Sequence, residues 1–265
     1  MKTINAAGTE FAVDDRGAGS PILFVHGFPL DHTMWEAQID SLSRTHRVIA
    51  PDLRGFGESA AAEGTVTMEQ FADDLAAILD ALHVTEPVAF CGLSMGGYIA
   101  WPFFRRHRVR LGSLILCDTV ATADTEEAAA QRHKTAETVL AQGADVMAKA
   151  MPVKLFADGT LEHKPAIVER IKKVIRGTAP SSIAAALRGM AARPDSTSLL
   201  ADIDVPTLVI CGAEDIITPP EAMRKLAEAI DEAEYAEVKN AGHMTPMEQP
   251  EAVTATLRQF LANHG

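Results

Sequence analysis

The stretch Cys91-Gly92-Leu93-Ser94-Met95-Gly96-Gly97 sets one serine among close glycines, directly after the apolar run Pro87-Val88-Ala89-Phe90. Gly92 to Gly96 fits the pattern G-x-S-x-G, and Gly97 to Arg105 can be helical, which places the serine on a strand-to-helix turn. Small residues suit such a turn because a Cβ there would collide with neighbouring backbone. On this local pattern Ser94 is either a cap for the following helix or a nucleophile.

Working outward, similar apolar runs recur at Pro21-Ile22-Leu23-Phe24-Val25, Arg47-Val48-Ile49-Ala50, Ser113-Leu114-Ile115-Leu116-Cys117 and Pro206-Thr207-Leu208-Val209-Ile210-Cys211. Hydrophobicity that is continuous rather than alternating belongs to strands covered on both faces, as in a parallel sheet. Between the runs lie helical patterns. The clearest spans Thr67 to Leu82, with Met68, Phe71, Leu75, Ile78, Leu79 and Leu82 on one face and Thr67 and Gln70 forming a capping box. The chain opens differently, with Thr3 to Ala7 and Thr9 to Val13 flanking Gly8 as an antiparallel hairpin. Adding Tyr235 to Val238, the pattern predicts an α/β fold: a mostly parallel eight-stranded sheet with helices on both faces.

Over residues 121–200 the strand signal disappears, and helical spacing such as Ile167, Ile171, Val174 and Ile175 takes over. Pro152, Pro165, Pro180 and Pro194 punctuate this segment, which predicts three or four short helices. The expected organisation is a core of residues 1–120 and 201–265 with a helical insertion of residues 121–200.

Composition narrows the function classes. The net charge of −12 leaves only the short cluster Arg105-Arg106-His107-Arg108 as a basic patch, so nucleic acid is not an expected partner. The bland reading of that cluster is a helix C-terminus whose dipole it offsets. Cys91, Cys117 and Cys211 are too scattered for a disulfide framework or a zinc site and read as small buried hydrophobes. No metal or other cofactor is expected. With no apolar segment of about 18 residues and no secretory h-region, the chain reads as cytoplasmic, with no membrane partner. A homo-oligomer is compatible with the sequence.

A serine hydroxyl is a weak nucleophile at neutral pH and requires a histidine base, itself oriented by a third group. Two later segments supply candidates: "CGAEDIITP" carries Asp215 at a strand end, and "NAGHMTPMEQP" carries His243 just beyond a glycine. All three residues fall at C-terminal ends of predicted strands, the edge where open α/β sheets place their sites. Asp118, in "LILCDTV", is the competing acid; Glu214 is a weaker one. Among the other histidines, His26 in "HGFPLDHTMW" reads as a residue that fixes its loop by hydrogen bonding, and His32 as a solvated loop residue. Gly27 lets this loop approach the serine, so that the N–H groups of Phe28 and Met95 could form an oxyanion hole of about 3 kcal/mol per donor.

Taken together, "HGFPLDHTMW", "DLRGFGES", "GLSMGG", "GAEDIITP" and "GHMTPMEQP" resemble the α/β-hydrolase family over nearly the whole chain. The sequence is most similar to bacterial carboxylesterases and 3-oxoadipate enol-lactonase-like enzymes, with some likeness to cofactor-free perhydrolases. The resemblance implies a Ser94, Asp215, His243 triad, oxyanion donors at Phe28 and Met95, and a helical cap formed by residues 121–200. It also implies that haloalkane dehalogenase and epoxide hydrolase chemistry, which uses an aspartate at the elbow, is not expected. One departure is Trp101-Pro102 within the helix after the elbow, which predicts that the helix ends or bends early.

The expected reaction is acyl transfer to Ser94 from a small-molecule ester or lactone, followed by hydrolysis. Trp101, Met151, Phe156, Arg188 and Met190 are candidate substrate contacts, with Met147, Leu155 and Leu187 as further apolar ceiling residues. Arg188, Arg132 or Lys134 would have to meet the carboxylate of an anionic lactone, whereas a neutral ester needs none of them. The reading from another class is a ligand-binding receptor with slow or no turnover.

Overall fold

The computed structural model describes residues 1–264. Among them, eight strands form one sheet: β1 (Lys2–Ala6), β2 (Thr9–Arg16), β3 (Pro21–Val25), β4 (Arg47–Pro51), β5 (Val88–Leu93), β6 (Leu111–Cys117), β7 (Thr207–Gly212) and β8 (Glu234–Val238). Their order is β1-β2-β4-β3-β5-β6-β7-β8, with β2 antiparallel to β1 and β4 and every pairing from β4 to β8 parallel. Every residue of β3 and β7 is buried, as their continuous apolar runs require, whereas the edge strands β1 and β8 are partly exposed.

The helices are α1 (Glu36–Leu42), α2 (Met68–Ala81), α3 (Met95–His107), α4 (Glu126–Gln142), α5 (Asp145–Ala150), α6 (Pro152–Leu155), α7 (Asp158–His163), α8 (Pro165–Gly177), α9 (Pro180–Ala191), α10 (Pro220–Glu228), α11 (Thr245–Glu248) and α12 (Pro250–His264). The Thr67 hydroxyl accepts from the Gln70 N–H at 3.1 Å and caps α2. The reciprocal half of the predicted capping box is missing, because the Gln70 side chain donates to Asp74 instead, at 3.0 Å. The basic residues Arg105, Arg106 and His107 end α3, where they complement its dipole.

Two expectations need correction. Helix α3 runs through Pro102 to His107 instead of ending early. Its residues Met95 to Phe104 are all buried, and Phe103 packs on Phe90 of β5 at 5.1 Å between ring centroids. Burial of that whole face outweighs the one hydrogen bond proline removes. Between β6 and β7 there are six α-helices, α4 to α9, rather than three or four, followed by a 3₁₀ turn at Thr197–Asp202. Pro152, Pro165 and Pro180 begin helices at positions where the missing N–H has no intrahelical partner to lose, while Pro194 follows the last of them.

The segment carrying these six helices leaves and rejoins the sheet layer at one place. The Ser196 N–H donates to the Ala121 carbonyl at 2.8 Å, and Arg193 meets Asp124 at 2.8 Å. It lies against the sheet-bearing part through Val66 N–H to Ala185 O at 3.1 Å, Ala62 N–H to Ser182 Oγ at 2.9 Å, and Arg170 to Glu36 at 2.6 Å. No helix among the described residues is long and apolar enough to cross a membrane.

Candidate active site

Ser94 closes β5 and opens α3 with φ 54° and ψ −110°, a left-handed conformation that costs a non-glycine residue about 1–3 kcal/mol. The surroundings enforce it. A Cβ on Gly92 would lie 2.5 Å from the Gly96 carbonyl carbon, and one on Gly96 would strike the Val25 carbonyl oxygen. The elbow therefore packs backbone against backbone, between β5 and α3 on one side and the end of β3 on the other. The Ser94 N–H donates to Cys117 O at 2.9 Å, and its carbonyl accepts from the Thr119 hydroxyl at 2.8 Å. Its side chain makes no helix-capping bond, and the residue is partly exposed.

The end of β3 brings its own loop to the serine. His26 is fully buried: its Nε2 accepts from the Leu53 N–H at 3.0 Å, and its Nδ1–H donates to the Gly27 carbonyl at 3.0 Å. Burial pushes its pKa down, so the ring is a neutral brace with both nitrogens engaged. A Cβ on Gly27 would come within 3.6 Å of the Ser94 Cβ, which locates this turn beside the elbow. The Phe28–Pro29 peptide is cis. The Met95 N–H belongs to the first turn of α3, where helical N–H groups have no intrahelical acceptor.

At the ends of β7 and β8, Asp215 and His243 meet. His243 Nδ1 and Asp215 Oδ2 are 2.7 Å apart, and the residues are 2% and 3% exposed. An ionised carboxylate only accepts, so Nδ1 carries a proton towards it and Nε2 faces away from Asp215. Asp215 also accepts the Ile217 N–H at 2.7 Å, the Thr218 N–H at 3.1 Å and the Thr218 hydroxyl. Burial alone would raise its pKa, but the His243 and Thr218 bonds outweigh burial and hold the carboxyl below its ordinary value.

Asp118, the competing acid, is turned to other work. Its Oδ1 accepts the Gly212 N–H at 2.8 Å and its Oδ2 the Thr245 hydroxyl at 2.6 Å, tying β6 to β7 and α11. Complete burial, with Asp215 nearby, pushes its pKa well up. His32 departs from its expected solvated state: it is half-buried, with Nδ1 2.7 Å from Asp52 Oδ1. Asp31, His32 and Asp52 have the geometry of a small metal cluster, but the fully buried Asp52 already accepts the N–H groups of His32 and Glu58 as well as the His32 ring. The three cysteines are free and buried.

Of the expected substrate contacts, Phe156 lies beside the His243 loop: a Cβ on the neighbouring Gly242 would reach the Phe156 carbonyl carbon at 3.0 Å. Leu155 accepts the His243 N–H at 2.9 Å, and Met151, half-buried, caps the start of the same short helix α6. Others have different engagements. Trp101 is buried and donates to Val120 O at 3.0 Å, while Met190 receives Arg132 on its sulfur at 3.6 Å. Arg188 spans from Glu137 at 2.7 Å to the Gly64 carbonyl at 3.1 Å. Arg132 pairs with Asp124, and Lys134 is exposed on α4. The motifs that contain Thr218 and Glu248 assign neither a role; the local signal for Thr218 is its place three residues after an aspartate, the spacing of a side chain-to-backbone turn.

Residues 20–250 match the family described as alpha/beta hydrolase fold. A thermophilic esterase from Thermogutta terrifontis, known in a malate-bound structure, is 45% identical and superposes with a TM-score of 0.97 over 100% of this chain and 99% of that one. The enol-lactonase from Burkholderia xenovorans is 31% identical with a TM-score of 0.91, covering 98% of this chain and 100% of that one. The 3-oxoadipate enol-lactonase 1 of Acinetobacter baylyi is 31% identical over 230 residues, 87% of this chain and 84% of the lactonase. With the elbow, the sheet order and these likenesses agreeing, the chain belongs to the α/β-hydrolase family, and its relatives include esterases and enol-lactonases.

Proposed function

We propose that the protein hydrolyses small-molecule carboxylic esters or lactones through an acyl-enzyme on Ser94. The observation that carries this is the buried His243–Asp215 pair at 2.7 Å, on the same sheet edge as the strained Ser94 turn. His243 Nε2 takes the Ser94 proton as Oγ attacks the carbonyl carbon, and Asp215 stabilises the imidazolium that results. The oxyanion is held by the Phe28 and Met95 N–H groups, the latter at the positive end of α3. The imidazolium then protonates the leaving alkoxide, and His243 activates water to release the acid and restore the serine. In this reading residues 121–200 form a cap over the acyl site, with the backbone of Leu155 and Phe156 against the His243 loop.

Neutral substrates are favoured over carboxylate-bearing lactones, because Arg188 and Arg132 are each committed to a carboxylate of the protein and Lys134 lies exposed on α4. The three free, buried cysteines support a cytoplasmic location. No cofactor, nucleic acid or membrane enters this reading.

The test is a panel of p-nitrophenyl esters and lactones, neutral and anionic, given to wild type, Ser94→Ala and Arg188→Ala. Ser94→Ala should stay folded and lose on the order of 10⁴ to 10⁶ in kcat. Equal rates in both would remove the nucleophile. Arg188→Ala should leave the ratio of neutral to anionic turnover unchanged; a loss confined to anionic lactones would move the assignment to an enol-lactonase.

A further inference from the structure

Glu248 is fully buried at the end of α11, five residues after His243, and no step of the reaction above uses it. Its Oε1 accepts the N–H groups of Gly242 at 2.8 Å and Met244 at 3.2 Å, the two residues that flank the histidine. Its Oε2 accepts the N–H of Ala157 at 2.9 Å, in the turn between α6 and α7. The bridge is reinforced on both sides. The His243 N–H donates to Leu155 O at 2.9 Å, and the Lys164 ammonium donates to the Glu248 carbonyl at 2.6 Å. A Cβ on Gly242 would lie 2.7 Å from the Ala157 nitrogen, so the two segments touch backbone to backbone.

The chemistry of this junction calls for a carboxylate. Three amide N–H groups converge on both oxygens of one side chain, and a carboxylate is the acceptor-only group of that size. An amide can accept on one side only and would aim its NH₂ at a donor on the other. A buried donor left without an acceptor destabilises the arrangement.

We propose that Glu248 is a positioning residue that joins the His243 loop to the α6–α7 segment, so that the base is aligned with Ser94 only while that segment is docked. This rests on His243 being the base, and it makes the helical segment part of the catalytic alignment as well as a wall of the acyl site.

The experiment compares wild type, Glu248→Gln, Lys164→Met, the double variant and His243→Ala on one short p-nitrophenyl ester, recording kcat, KM, the acylation burst and Tm. Glu248→Gln should lower kcat and the burst rate by about 10- to 100-fold, the scale of a misplacement near 1 Å, with KM changed far less. Lys164→Met, which removes only the ammonium bond to the Glu248 carbonyl, should lower kcat by a few fold, and the double variant should lose less than the product of the two losses. If Glu248→Gln retains wild-type kcat and burst at a temperature where it is folded, the proposal fails even if Tm has dropped. Should Glu248→Gln not fold, an unchanged kcat in Lys164→Met overturns it. An inactive His243→Ala beside an unaffected Glu248→Gln brings down this inference alone, whereas a fully active His243→Ala brings down the triad as well.

Discussion

Ser94 and Asp52 show how single residues acquire unusual states from their neighbours. Ser94 is held at positive φ because Gly92 and Gly96 allow three backbone segments to touch, and the strain presents its hydroxyl away from the helix it starts. Asp52 is fully buried and accepts the His32 ring. Burial tends to neutralise His32, but the bond to Asp52 prevails and raises its pKa above 6.5 in the folded state. Its contribution to stability is therefore complete below about pH 6.5 and is lost as pH rises through the raised value. His32→Gln should accordingly lower Tm more at pH 6 than at pH 9. An equal loss at both pH values would show that the pair acts through packing alone.

At the scale of elements, Asp118 ends β6 and holds the start of β7's outgoing turn through Gly212 and the start of α11 through Thr245. Its raised pKa means the folded state disfavours its ionised form, so the cost to stability grows as pH climbs above the ordinary 3.8 through the raised value. Asparagine tolerates the φ of 46° at this position, matches the shape, and needs no ionisation. Asp118→Asn should therefore gain stability relative to wild type as pH rises from 5 to 8, followed by Tm, with kcat within about threefold. A kcat loss near the roughly 10⁴ typical of a missing triad acid would instead make Asp118 the partner of His243. Helix α3 makes a related point. Pro102 was a sound reason to expect an early end, and full burial of the surrounding turn overrode it.

For the whole molecule, the interest lies in what fixes the helical segment to the sheet. Asp124, near its start, faces Arg132 of α4 and Arg193 near its end, with the Asp124 and Arg193 side chains each 6% exposed. Arg193 also stacks over Tyr98 of α3, 4.1 Å from the ring centroid. Removing the shared carboxylate leaves a buried guanidinium without its counter-ion. Asp124→Ala should lower unfolding stability by about 3 kcal/mol in urea titrations. Arg170→Ala, which breaks a solvent-exposed pair with Glu36, should lower it by less than about 1 kcal/mol. Comparable losses in the two variants would show that the segment is held at its outer face instead.

The parallel sheet, the elbow and the three strand ends that carry Ser94, Asp215 and His243 are legible along the chain. Those features are written in local patterns: apolar runs of strand length, glycines at a forbidden turn, and a motif order along the chain. Packing between distant segments is what brings Asp215 rather than Asp118 to His243, commits Arg188 to Glu137, and lets Glu248 join the histidine loop to the helical segment. Each of those depends on which donor lies across from a side chain, between segments as much as 127 residues apart for Asp118 and Thr245. Hydrogen bonds and ion pairs are satisfied by whatever packing brings near, and no periodicity along the chain encodes that pairing.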